Sequence, residues 1–152
     1  MEKDKTNQLF TRAAAYCSTA ERCRSEVVAK LQVWDKDGEA DASQILERLA
    51  QEGFLNENRY ACAFASDKLR FQGWGKMKIR AALVQKGVSN GAANEALNQL
   101  DKEIYLQTLR NLTEKKRREL RSEKDPYVLR QKLSRFLAGR GFSMEDIQSV
   151  VR

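Results

Sequence analysis

Two short strings, Lys86-Gly87-Val88-Ser89 and Arg140-Gly141-Phe142-Ser143, stand 54 residues apart in a chain that shows helical periodicity nearly everywhere and no strand alternation. A glycine closing an apolar-periodic run ends a helix in the left-handed conformation, and a serine two residues later starts the next one. Around these strings the register runs without a gap: Ile79 falls on Leu133, Leu83 on Leu137, Val88 on Phe142, Ala93 on Ile147 and Leu97 on Val151. An earlier unit fits more loosely. Val27 and Leu31 match Ile79 and Leu83 at a shift of 52, and Ile45 and Leu49 match Ala93 and Leu97 at a shift of 48. The difference is an insertion containing DKDGEAD, where an acidic loop replaces the glycine turn.

Internal repetition at this period constrains the fold more than any other feature. The chain has 152 residues, with one proline and eight glycines, so each breaker can be weighed individually. Ser18-x-x-Glu21 has the form of a capping box, Asn56, Ser89 and Ser143 are N-caps, and Asp125-Pro126 is a cap followed by a first-turn proline. Gly53, Gly73, Gly87 and Gly141 stand where helices stop. Helices are expected over about 6–16, 19–33, 41–52, 56–72, 75–86, 89–99, 101–121, 126–139 and 143–151. They group as an all-α tandem array of three-helix repeats over 1–55, 56–100 and 101–152. Each unit is too small to bury much apolar surface alone, so stacked units share cores and the body is elongated. An irregular bundle with accidental matches is the competing reading, and the gapless register counts against it.

Chemistry of several kinds is excluded early. The sequence has no histidine, and its cysteines, Cys17, Cys23 and Cys62, show no CxxC spacing. Neither a zinc site nor a disulfide framework is expected; the thiols read as small buried hydrophobes in a reducing compartment. No Gly-rich phosphate loop of the nucleotide-binding types is present, and acid pairs such as Glu145-Asp146 and Asp35-Asp37 adjoin helix starts or turns. A cofactor-free binding protein is expected, not an enzyme. No apolar run has the roughly 18 residues of a membrane span, and the charged start MEKDKTNQLF lacks a signal-peptide core, which points to the cytoplasm and to no membrane contact.

The charge is +7, from 28 bases and 21 acids, and it is unevenly spread. Residues 1–55 carry 8 bases and 10 acids, residues 56–100 carry 7 and 3, and residues 101–152 carry 13 and 8, giving −2, +4 and +5. Between Lys68 and Asn94 lie Lys68, Arg70, Lys76, Lys78, Arg80 and Lys86 and no acid. Lys76 and Lys78 occupy the first turn of a helix, where cations oppose the macrodipole. A Gly-Trp-Gly start would leave backbone N–H groups free, and these with the lysines and an exposed Trp74 would suit a phosphate or carboxylate. Lys76 and Arg80 fall on one flank and Lys78 on the other, so Lys76 and Arg80, with Arg70, are expected to converge beside Trp74. A second cluster is Lys115, Lys116, Arg117, Arg118 and Arg121. The plainer alternatives are that Trp74 fills a gap between helices and that both clusters are solvated helix faces.

Residues 56–89, NENRYACAFASDKLRFQGWGKMKIRAALVQKGVS, resemble the signature region of the RecX regulatory proteins, bacterial modulators of the RecA recombinase. The likeness lies in Asn58-Arg59-Tyr60-Ala61, the basic helix end with Gly-x-Gly, and Lys76, Ile79, Leu83 and Lys86-Gly87. ILERLAQEGFLNE (45–57) and FLAGRGFSMEDI (136–147) are similar to the family's first link and its ending. The resemblance implies a monomeric tandem three-helix repeat protein that lies along the groove of the RecA–DNA filament, contacts single- or double-stranded DNA, impedes filament extension and favours disassembly. Cys23-Arg24-Ser25-Glu26-Val27-Val28 and Val33-Trp34-Asp35-Lys36 depart from the family's pattern and put first-unit contacts in doubt. A helical nucleic-acid-binding module acting without a recombinase is the alternative.

Overall fold

The computed structural model describes residues 2–152. Nine α-helices follow one another among them: α1 (Glu2–Thr19), α2 (Arg24–Trp34), α3 (Ala42–Gln51), α4 (Glu57–Asp67), α5 (Lys76–Gln85), α6 (Asn90–Asn98), α7 (Lys102–Glu119), α8 (Pro126–Gly139) and α9 (Met144–Val150), with no strand. The helices pack in threes. α1, α2 and α3 touch one another, as do α4, α5 and α6, and α7, α8 and α9.

Local chemistry accounts for most helix ends. Asn56, Ser89 and Ser143 each accept a backbone N–H at N3, and the carboxylates of Asp41, Asp101 and Asp125 do the same work at α3, α7 and α8. Gly87 and Gly141 end α5 and α8 with φ of 89° and 99°, and Val88 and Phe142 after them are buried. One expected cap is not used. Ser18 lies inside α1, where its hydroxyl donates to the Ala14 carbonyl, and the box at the start of α2 is made by Cys23, whose N–H donates to the Glu26 carboxylate at 2.9 Å. The early apolar stripe of Leu9, Phe10, Ala13 and Cys17 carries α1 past Ser18 because its buried face continues to Cys17.

The apolar interior is divided unequally. Leu9, Phe10, Ala13, Val27, Leu31, Ile45, Leu46 and Leu49 form a core belonging to α1–α3 alone. A second, larger core runs from Tyr60 and Leu69 through Ile79, Leu83 and Leu97 to Leu109, Leu133, Leu137 and Ile147, so α4–α9 share one interior. The exposed area is 9810 Å². A compact monomer of this mass would expose about 7,900 Å². The excess is what a row of small helical units should show.

The acidic insertion is ordered by its own side chains. Asp35 ends α2, accepts the N–H groups of Glu39 and Ala40 and pairs with Lys5 at 3.1 Å, an arrangement that holds its carboxyl below the usual range, chiefly through the Ala40 N–H. Beyond α4 the chain widens into a π-helical turn over Lys68–Gln72, which the sequence did not signal. It ends at Gly73 and delivers Trp74 to the start of α5.

Candidate partner-binding surface

The Gly73-Trp74-Gly75 start of α5 proved to be a joint between the second and third helix triplets. The Gly75 N–H donates to the Arg140 carbonyl at 2.7 Å, the Met77 N–H to the Gly141 carbonyl at 3.0 Å, and the Lys76 N–H to the Tyr105 hydroxyl at 2.9 Å. The amides expected to await an anion are therefore occupied by carbonyls at the end of α8 and a phenol of α7. Those carbonyls lie at a helix C-terminus, so the two opposed dipole ends satisfy each other's unpaired groups. Only glycine permits the approach. A Cβ on Gly75 would lie 2.5 Å from the Gly141 carbonyl, and one on Gly141 would lie 2.4 Å from the Lys78 Cβ. Burial pushes the Tyr105 phenol up to about 12, with the Lys76 N–H opposing that rise.

Around this joint the cations sort differently from the expectation. Trp74 is half-buried against the shared core, and the ammonium groups over its ring are Lys68 at 4.8 Å and Lys78 at 4.7 Å from the centroid. Lys76 instead lies 5.0 Å from the Tyr105 ring centroid, and Arg80 is exposed. The predicted convergence of Lys76 and Arg80 on Trp74 is corrected to Lys68 and Lys78. The first opens the π-helical turn that follows α4, and helical spacing within α5 says nothing about it. Lys68 also lies over Phe64 at 5.3 Å. Arg70 borders a separate hollow with Cys62, Ser66 and Asp101, and Lys86 pairs with Glu26 of α2 at 3.6 Å.

The second basic cluster divides around α7. Lys116 turns toward α8, where it lies 4.9 Å from the Phe136 ring centroid, while a guanidinium nitrogen of Arg117 donates to the Val150 carbonyl. Lys115, Arg118 and Arg121 are exposed. Sequence reasoning missed Arg140, which connects the two clusters. Its guanidinium lies over Phe136 at 5.5 Å and donates to the Gln72 carbonyl at 3.0 Å, immediately before the Gly-Trp-Gly segment. Lys68 and Lys78 on Trp74, and Arg140 and Lys116 on Phe136, thus form a series of two cation–aromatic groups on adjoining triplets, linked by the Arg140 bond to the Gln72 carbonyl. Among the described residues, no carboxylate lies within 4 Å of the charged groups of Lys68, Arg70, Lys76, Lys78, Arg80 or Arg140. Phe71 and Met77 stand beside this series with 78% and 61% of their surface exposed. Exposed aromatic and methionine side chains with an arginine are the residue types enriched where proteins meet partners, and the lysines around them add attraction for anionic groups.

Known proteins share this architecture. Family models described as the second and third three-helix domains of RecX match residues 56–97 and 103–151. A regulatory protein RecX of Clostridium botulinum (strain Eklund 17B / Type B) is 37% identical over 123 residues, covering 80% of this chain and 56% of that protein, so the chain spans little more than half the length of that relative. The RecX of Chlorobium phaeobacteroides (strain BS1) is 32% identical over 142 residues, covering 93% of this chain and 90% of its own. The crystal structure of RecX from Lactobacillus salivarius superposes with a TM-score of 0.85 at 23% identity, over 98% of this chain and 96% of the other. With two domain models matched in series and a nearly full-length match at 32% identity to the Chlorobium protein, the chain belongs to the RecX family of regulatory proteins.

Proposed function

We propose that this protein binds the filament that RecA recombinase forms on DNA and inhibits it, impeding extension and favouring disassembly. One observation carries the reading beyond family membership: Lys68 and Lys78 on Trp74, and Arg140 and Lys116 on Phe136, flank the joint between two triplets of an elongated body, and of these four cations only Lys116 meets a carboxylate, that of Glu119. A filament offers a long, regular, polyanion-containing groove, and an extended rigid body can engage several points of it at once. Contacts that are individually weak then add through effective concentration. Arg70, Lys76, Arg80, Lys86, Lys115, Arg117, Arg118 and Arg121 extend the proposed contact set to either side.

The test reverses the two cations that flank Trp74. Lys68→Glu with Lys78→Glu should reduce inhibition of ATP turnover by RecA filaments on single-stranded DNA at least tenfold and leave the helical spectrum unchanged. Undiminished inhibition would show that these lysines are solvated surface. A second reading, nucleic-acid binding without a recombinase, is favoured by the density of unpaired cations alone. It requires inhibition to disappear with binding to bare DNA as salt is raised. Inhibition that survives such salt excludes it.

A further inference from the structure

The α1–α3 unit carries a cation and aromatic stack of its own, which its net charge of −2 conceals. Arg12 lies 4.3 Å from the Trp34 ring centroid, Trp34 meets Tyr16 edge to face at 6.2 Å, and Tyr16 carries Arg22 at 4.0 Å and Lys30 at 5.4 Å. Arg12 and Tyr16 are one turn apart on α1, and Lys30 and Trp34 one turn apart on α2, so two helices present these groups together. Arg22 is fixed further by bonds from its Nε to the Tyr16 carbonyl and from a guanidinium nitrogen to Thr19. No carboxylate lies within 4 Å of Arg12, Arg22 or Lys30 among the described residues.

The second triplet has the same chemistry with its partners exchanged. At the 52-residue shift that aligns Val27 with Ile79, Tyr16 corresponds to Lys68 and Arg22 to Trp74, while Arg12 corresponds to Phe64 and Trp34 to Lys86. Arg22 over Tyr16 becomes Lys68 over Trp74. Phe64 and Lys86 only border one hollow, where Arg12 lies directly over Trp34. Each of the four positions changes from cation to aromatic or the reverse, and the cation-over-ring contact survives at the Tyr16 and Arg22 pair, while Lys86 turns to Glu26. A contact kept only for packing could be met by any apolar pair.

We infer that the Arg12, Tyr16, Arg22, Lys30 and Trp34 stack is a second docking surface, and that it takes carboxylates on a protein partner. The rings already bear cations, so they are not open platforms for bases; what the stack offers outward is the edge of two held guanidinium groups, suited to bidentate carboxylate pairing. Protein is favoured over nucleic acid by what lies beside the stack. The acidic loop begins at Asp35, next to Trp34; Asp35 and Glu39 share the single cation Lys5, and Asp37 is exposed, so the loop stays net negative. A polyanion laid along the stack would meet repulsion from this loop, which begins at the residue after Trp34. A protein face of mixed charge would not. This assignment rests on the filament reading above, with the recombinase as the partner.

Arg12 and Lys30 are exposed and donate to no described hydrogen bond, so Arg12→Glu with Lys30→Glu leaves the fold intact. Binding should be measured to RecA filaments on single-stranded DNA and, in parallel, to the same oligonucleotide bare. The double reversal should weaken filament binding at least tenfold and change bare-DNA binding by less than twofold. Trp34→Leu, which keeps an apolar side chain but removes the platform for Arg12, should weaken filament binding about threefold. Equal filament binding by parent and double reversal overturns this inference alone. A parallel tenfold loss on bare DNA overturns it in favour of a nucleic-acid contact. Failure of the parent to bind filaments, seen without any variant, overturns the filament reading and this inference with it.

Discussion

The first helix triplet and the other two solve the same problem of small units in different ways. α1–α3 closes a core of its own and meets α4–α6 through Cys23, which is buried in the larger core, and through polar links: the Ser25 hydroxyl donates to the Lys86 carbonyl at 2.7 Å, Lys86 pairs with Glu26, and Arg59 pairs with Glu21. α4–α9 instead fuse two triplets through one interior and a backbone clasp at Gly75 and Gly141. Exposed ion pairs contribute little, roughly 0 to 1 kcal/mol each. Burial of side chains such as Leu69, Leu109 and Leu133 contributes roughly 1.5 to 3 kcal/mol apiece. Repetition of sequence does not ensure repetition of coupling; that depends on which surfaces the units turn toward each other.

The largest effect should come from breaking the fused half at its closest approach. Gly141→Val meets both a positive φ and the Lys78 backbone, and should cost more than about 3 kcal/mol, whereas Gly87→Val meets open space and should cost only about 1 to 2 kcal/mol for its backbone conformation. Thermal or denaturant melts of the two variants decide this, and equal losses would show that the clasp adds nothing. Next in size are paired core truncations. Leu109→Ala and Leu49→Ala should each cost about 2 to 5 kcal/mol. Hydrogen exchange should show amides of α4–α9 opening together in the first and those of α1–α3 opening alone in the second. Spread of either effect through the whole chain would erase the distinction.

The smallest effect is at the phenol of the joint. Tyr105→Phe leaves the Lys76 N–H without its acceptor and should cost about 1 kcal/mol. The same residue predicts a pH dependence. Its folded value is raised, to about 12 from 10.0, so its contribution is complete below pH 10. That contribution is lost between about pH 10 and 12, where the unfolded chain ionises first and binds fewer protons. Alkaline melts should therefore lose less stability in this range for Tyr105→Phe than for the parent, and parallel curves would refute the assignment.

Much of this was readable from residue order because it is local. Helix limits followed from apolar spacing and from caps such as Asn56, Ser89 and Ser143, whose side chains act on amides only three residues away. The repeat followed from Gly87 and Gly141 and the stripes around them, and the resemblance of residues 56–89 to RecX proteins held for the family. The failures were of another kind. Ser18-x-x-Glu21 had the letters of a cap, but the buried face of α1 extended past it.

Tertiary structure alone decided what became of the lysines and amides at the start of α5. Gly75, Lys76 and Met77 found acceptors in Arg140, Tyr105 and Gly141, which lie 29 to 65 residues away in sequence, and Trp74 received Lys68 where Lys76 and Arg80 were expected. It also set Arg140 between Trp74 and Lys116, and Arg12 and Lys30 on the rings of α1–α3, in a unit whose net charge promised no cationic surface. Sequence determines which groups each helix presents and where it ends, because those depend on neighbours within a turn. Which charges remain unpaired, and which backbone groups stay open to a partner, depends on the docking of distant units, and no period in the sequence encodes that.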